Sequence, residues 1–477
     1  LLKQFNESTA DLARLVLNGP RSLSIEEHRT RVHELEERKE RLEDEISRVS
    51  AEFRAHSQPV TLSAVRAAIP PKTALIEFAV YRPFDPRAEN NDEAYGKPRY
   101  IAYVLHDKGE ARWRDLGDAR AIDQSIGSLR QALRDPQRRD VRELARAVDE
   151  RVMQPVRELI DDSTQLLVSP DGALNLIPFE ALVDERGRYL IERYSITYLT
   201  SGRDLLRLQV PRAAAETSLV IADPSYGEPE LSQTTETDKT GSADRPKRPG
   251  GTDSSDLSDI YFTPLTGTAQ EARAIKSLFP DITTLLGPQA TESSLKQASA
   301  PRILHIATHG FFLTDGARTP DLQATRSISG TAKVENPLLR AGLALAGANR
   351  RSNTGDDGIL TALEASGLNL WGTKLVVLSA CDTGVGEVKN GEGVYGLRRA
   401  FVLAGTETLV MSLWPVSDYV TRELMATYYC GLKQGGGRGE ALRQVKLRML
   451  KSAAREHPFY WAGFVQSGEW ASLDGKR

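Results

Sequence analysis

The chain has 477 residues, 40% of them hydrophobic and 27% charged, with a formal charge of −3. That length exceeds the roughly 250 to 300 residues at which single cores stop growing, so two or three domains are expected. The near-neutral balance gives no global attraction to nucleic acid or membrane. Only two cysteines occur, Cys381 and Cys430, which excludes a disulfide framework and a cysteine-based zinc centre and suits a reducing, cytoplasmic setting.

No run approaches the roughly 18 apolar residues of a membrane helix, and the opening Leu1-Leu-Lys-Gln-Phe5 lacks a basic segment followed by a hydrophobic one. The chain starts on Leu rather than Met and is expected to be a piece of something longer.

Between Ile25 and Phe53 the apolar residues follow a seven-residue pattern, with Ile25, Val32, Ile46 and Phe53 on one seam position and Leu35, Leu42 and Val49 on the other. His28 and Lys39 are the polar exceptions. About four heptads is near the minimum for a coiled coil, so the pattern predicts a long amphipathic arm packed on its own domain, with an intermolecular coiled coil as the alternative. This helical arm or connector is assigned residues 1–58.

Pro70-Pro71 opens a second region, residues 59–212, that mixes strands at Thr73–Tyr81, Arg99–His106, Ala111–Leu116, Gln165–Ser169 and Ser195–Thr200 with helical spacing over Ile122–Leu133 and Val141–Ile160. From residue 213 the rhythm becomes buried strand and helix in alternation. Continuous rather than alternating hydrophobicity in strands such as Leu219-Val-Ile-Ala222, Ile303–Ala307, Leu375–Leu378 and Thr408–Leu413 predicts a parallel sheet covered on both faces, a doubly wound α/β domain over 213–477. Three polar stretches interrupt it, Glu228–Ser258, Thr314–Asn336 and Gly347–Asp357, and read as solvated insertions, with lids or self-cleavage segments as the alternative.

The chain lacks a phosphate-binding loop, His-Glu-x-x-His, Cys-x-x-Cys and the Gly-x-Ser-x-Gly elbow, so no metal or cofactor is implied. Gly391-Glu-Gly-Val-Tyr-Gly396 fits the dinucleotide-binding glycine pattern. However, that pattern must turn directly off a strand to set a pyrophosphate on the helix N-terminus. Here about ten residues intervene, and Glu392 adds a negative charge.

Two other residues carry chemistry. His309 ends the run Leu304-His-Ile-Ala-Thr-His-Gly310 and Cys381 ends Leu375-Val-Val-Leu-Ser-Ala-Cys381, each at the C-terminal end of a buried strand, where open parallel sheets place their active sites. A thiol becomes nucleophilic as its thiolate, which a neighbouring imidazolium stabilises; the same imidazolium then protonates the leaving amine. The backbone N–H groups of Gly310 and Cys381 are the candidate oxyanion donors. His305 reads as a core histidine, and Cys430 as packing in a helix capped by Gly431.

Four ordered motifs, Leu304–Gly310, Leu378-Ser-Ala-Cys-Asp-Thr-Gly384, Gly391–Phe401 and Ser412-Leu-Trp-Pro-Val-Ser-Asp418, resemble the CHAT family of caspase-like cysteine peptidases, often found in bacteria behind tetratricopeptide repeats. Ser169–Leu182 and His457–Phe464 fit the same family, so the resemblance covers roughly residues 60 to 470. It implies a degenerate caspase-like unit followed by an active one, with His309 as base and Cys381 as nucleophile, acting on a protein or peptide substrate. It also implies a regulatory partner acting through the arm or upstream repeats, in signalling or defence. Candidate acids for a pocket selecting a basic residue before the cut bond are Asp223, Asp382 and Asp418, with Asp356 and Asp357 as weaker candidates. A catalytically silent signalling scaffold is the alternative.

Overall fold

The computed structural model describes residues 2–18, 24–49, 60–88, 94–210, 213–215, 217–228, 260–312, 337–350, 356–379, 392–414 and 417–475. Two helices, Leu2–Asn18 and Ile25–Val49, form a hairpin at the start. Val32 and Leu35 of the heptad seam bury against Leu12 and Ala13 of the first helix, and Leu339 and Leu363 close this small core from the second half of the chain. Both polar seam residues are satisfied by the first helix: His28 Nε2 lies 2.9 Å from the Leu15 carbonyl oxygen, and Lys39 Nζ stands 5.5 Å from the centre of the Phe5 ring. Val32 and Leu35 of the seam therefore pack on their own chain. In the first helix Ser8 and Thr9 share buried positions with Leu12 and Ala13. Phe53 lies outside the described residues.

The first half supplies β1 (Thr73–Tyr81), β2 (Arg99–Leu105), β3 (Arg112–Asp118), β4 (Gln165–Ser169) and β5 (Ser195–Tyr198). The second supplies β6 (Leu219–Pro224), β7 (Thr283–Gly287), β8 (Ile303–Ala307), β9 (Gly310–Phe312), β10 (Ala341–Ala344), β11 (Ile359–Thr361), β12 (Leu375–Leu378), β13 (Thr408–Ser412) and β14 (Phe464–Gly468). One eleven-stranded sheet runs β3-β2-β1-β4-β5-β14-β13-β12-β8-β6-β7. It is parallel except at β3/β2, β2/β1 and β14/β13, so the fold is mixed α/β with a large, mostly parallel sheet. The two halves share it, because Ser467 of β14 pairs with Tyr198 of β5.

The strand order of the second half opens a crevice at one rim of the sheet. From β6 the chain moves outward to β7, then crosses back and proceeds through β8, β12 and β13 on the other side. Right-handed crossovers then put the Thr266–Leu278 helix, between β6 and β7, and the Glu392–Leu403 helix, between β12 and β13, on opposite faces of the sheet. Such a reversal leaves a crevice at the carboxyl ends of the two strands where it occurs, here β6 and β8.

Polar residues buried between the halves fix their docking. Lys446 Nζ lies 2.9 Å from Glu180 Oε1, and the Tyr198 hydroxyl donates to Glu180 Oε2 at 2.7 Å. Arg398, on the Glu392–Leu403 helix, reaches Asn175 Oδ1 at 3.5 Å and sits over the Tyr198 ring. Glu180 and Asn175 belong to the Ser169–Leu182 motif and Arg398 to the Gly391–Phe401 motif, so these two sequence signatures meet across the seam.

Two expectations are corrected. Gly431 does not cap its helix, which runs on through Asp418–Lys433; the chain turns at Gly435, with φ 82°. Gly431 instead lets the next helix approach, since a Cβ there would stand 3.3 Å from that of Ala441. The Gly347–Asp357 stretch is not wholly solvated either. Ala348 is 1% exposed and Asn349 4%, because they close the second, three-stranded sheet, β11-β10-β9, against the loops after β6. That small sheet was not legible in sequence, its strands being only three or four residues long.

Candidate active site

His309 lies two residues beyond the end of β8 and is partly buried. Below it, the buried hydroxyl of Thr308 donates to the Ala344 carbonyl and lies 2.9 Å from the Tyr226 hydroxyl. The Tyr226 and Phe262 rings pack at 5.4 and 5.9 Å from the imidazole. Nε2 lies 2.7 Å from the Thr263 carbonyl oxygen. A carbonyl oxygen only accepts, so Nε2 carries the hydrogen, and in the neutral ring Nδ1 is the basic nitrogen.

Next to β8 runs β12, parallel and in register, with Leu378 opposite Ile306. Ser379, which follows β12, continues the pairing with its N–H on the Ile306 carbonyl at 2.9 Å. Its hydroxyl donates to Glu271 Oε2 at 3.1 Å. Glu271 Oε1 stands 3.2 Å from His305 Nε2, and His305 Nδ1 lies 3.0 Å from the Tyr429 hydroxyl. His305 is therefore a fully buried core residue, as read from the sequence, but one tied through Glu271 to the end of β12. Cys381 and Asp382 lie outside the described residues, as does Gly391.

Gly310 opens β9, opposite Leu343 of β10, and is buried. Asp223, the penultimate residue of β6, sits at a bulge between Ala222 and Pro224, in the left-handed region with φ 50°. A non-glycine residue in that region stores strain, which concentrates at functional sites. Burial raises the Asp223 carboxyl above its ordinary value, and Arg273 pulls it back. Its N–H donates to Thr268 Oγ1 at 3.0 Å. Asp418 is the exposed first residue of its helix, and a Cβ on Gly267 would collide with its carboxylate. Asp223 and Asp418 thus flank adjacent residues at the start of the Thr266–Leu278 helix.

Asp356 accepts the N–H of Ser293, at the start of a helix distant in sequence, and Asp357 that of Ile359 two residues on. Cys430 is half-buried on its helix, with the Gln434 side-chain amide 3.6 Å from its sulfur. Sequence reasoning did not find Tyr226, Phe262, Thr263 or Asn349. Thr263 acts through its backbone, which leaves no residue signature, and the aromatics are ordinary apolar residues until folded. Among the described residues, no group of three or more His, Cys, Asp or Glu side chains is placed to hold a metal ion. No described helix is long and apolar enough to cross a membrane.

Two curated relatives, tetratricopeptide repeat protein 28 from Homo sapiens and from Mus musculus, are each 26% identical to this chain, over 336 and 323 residues, or 65% of it. The chain spans 12% of the length of each. Among solved structures, the Saccharomyces cerevisiae separase–securin complex has 9% identity and a TM-score of 0.40, covering 93% of this chain and 34% of that one. The Arg specific cysteine proteinase gingipain R (RgpB) has 10% identity and a TM-score of 0.37, covering 74% of each chain. The CHAT domain description matches residues 142–469, well over half of the sequence, and the chain belongs to the CHAT domain family.

Proposed function

We propose that the chain is a caspase-like cysteine endopeptidase in which Cys381 attacks the scissile carbonyl and His309 transfers the protons. The observation that carries this reading is the register of β8 and β12. Ile306 and Leu378 are paired across parallel strands, and His309 and Cys381 each stand three residues further along the chain. The β6/β8 strand-order reversal supports it independently, because His309 follows β8 at the rim where α/β sheets bind ligands.

In the proposed reaction, His309 Nδ1 takes the thiol proton and the thiolate adds to the peptide carbonyl. The tetrahedral oxyanion is received by the backbone N–H groups of Gly310 and Cys381. Collapse breaks the C–N bond, the leaving amine takes its proton from His309, and water hydrolyses the acyl-enzyme by the same route. The Thr263 carbonyl and the two flanking rings hold the imidazole orientation through these steps.

The pocket for the residue before the cut is assigned to Asp223 and Asp418, with Asp382 beside the nucleophile, and favours a basic side chain. The division into a helical arm at 1–58, a degenerate caspase-like unit at 59–212 and a catalytic unit at 213–477 is part of the same reading. The arm, or repeats upstream of it, would meet a regulatory protein partner, and a reducing cytoplasm would keep the thiol competent.

The test is cleavage of a peptide library by the wild-type chain and by Cys381→Ala. Turnover with Arg or Lys before the cut in the wild type alone is expected. Equal turnover in both refutes the nucleophile, and a folded wild type with no turnover favours a signalling scaffold.

A further inference from the structure

We propose that Asn349 is the positioning residue for His309, holding the base through the two backbone segments that wall it in. This rests on the assignment of His309 as the base. Asn349 sits in the loop after β10, 4% exposed, and spends its whole amide on those segments. Its Oδ1 accepts from the Phe262 N–H at 3.0 Å. Its Nδ2 donates to the Phe262 carbonyl at 2.9 Å and to the Gly227 carbonyl at 3.0 Å. The Asn349 backbone N–H adds a bond to the Tyr226 carbonyl at 2.9 Å.

The consequences reach the imidazole in one step on each side. Tyr226 and Phe262 are the two rings packed on His309, and Thr263, the next residue after Phe262, supplies the carbonyl that accepts from Nε2. Gly227, with φ 78°, adopts a turn that a side chain would resist. Tyr226–Gly227 and Phe262–Thr263 are also separated by a long polar stretch of sequence, so their mutual placement depends on cross-links of this kind. The carboxamide offers two N–H donors and an acceptor oxygen, and all are used here. Because an amide buried without its partners is costly, the arrangement is held in one geometry rather than several.

Two variants test the assignment. Asn349→Ala removes all three side-chain bonds, and Asn349→Asp keeps the shape and the acceptor for the Phe262 N–H while losing both donors. Peptidase kcat and KM, the thermal midpoint, and the rate at which diethyl pyrocarbonate modifies His309, read by mass spectrometry, are measured for each. The expected result is a kcat lower by about tenfold or more with KM changed by less than about threefold, since a misplaced base costs chemistry rather than binding. His309 modification accelerates at least about fivefold while the other histidines keep their wild-type rates. A merely structural role would lower the midpoint without singling out His309.

Wild-type kcat and wild-type His309 reactivity in either folded variant would overturn the proposal. So would loss of the fold in both, which would make Asn349 a residue of global stability. If the wild-type chain has no peptidase turnover, the functional reading fails, and His309 reactivity alone still decides whether Asn349 holds the ring.

Discussion

Asp223 and Asp418, far apart in sequence, stand against adjacent residues at the start of one helix: the Asp223 N–H donates to Thr268 Oγ1, and the Asp418 side chain lies against Gly267. In the proposed pocket these two carboxylates would receive a cationic side chain. The proposed pocket then makes a specific forecast. Asp223→Asn lowers kcat/KM for peptides with Arg or Lys before the cut by about 10- to 100-fold, the worth of a charged hydrogen bond of roughly 1.5 to 3 kcal/mol. Asp418→Asn, at an exposed position, has the smaller effect. Burial holds the Asp223 carboxyl above its ordinary value, so the preference for a basic residue grows as pH rises and that group ionises. Steady-state kinetics on paired basic and neutral peptides checks both statements, and equal losses for the two peptides would remove Asp223 from the pocket.

Lys446 and Glu180 form an ion pair with both side chains 5% exposed or less. Removing one partner strands the other charge in the seam between the halves, which typically costs about 3 to 5 kcal/mol. Lys446→Met is expected to destabilise by that amount in urea unfolding. Lys446→Met combined with Glu180→Gln, which keeps an acceptor for Tyr198, recovers part of the loss. A double variant no better than the single would mean the seam does not depend on charge balance.

Glu292 and Glu364 share one ammonium, Lys296. Two buried carboxylates and a single cation leave an excess negative charge, and burial together with Glu364 pushes Glu292 up to about 9 from an ordinary 4.5. A carboxyl raised on folding costs nothing below its unfolded value. Its protonated form is then favoured only in the folded state, so stability falls as pH rises from about 4.5 through 9, by at most about 1.4 kcal/mol per pH unit. Glu292→Gln is expected to raise the thermal midpoint at pH 8 and to flatten its decline between pH 5 and 9. Curves that stay parallel to wild type would contradict this.

Much of the sheet was legible because its strands are short apolar runs between glycines and prolines, and their boundaries agree with the sequence reading to within a residue or two at β6, β8, β12 and β13. The heptad seam of the second helix was legible for the same reason. What escaped detection depended on partners distant in sequence. β14 joins two halves that the change of rhythm had separated, and the wall around His309 comes from the Thr263 carbonyl and the Tyr226 and Phe262 rings, whose backbones Asn349 bonds from a stretch whose polarity had suggested solvent. His309 was readable as a strand-end histidine; the orientation of its ring was not, because Thr263 offers only backbone to it.

The most direct measurement is the site and rate of labelling by a peptidyl probe that carries a basic residue and a thiol-reactive group, in wild-type and His309→Ala protein. The expected result is one adduct, on Cys381 and not on Cys430, formed at least about 100-fold more slowly without the imidazole. Labelling that ignores Cys381, or that proceeds on it at the same rate in both proteins, would contradict a Cys381–His309 pair.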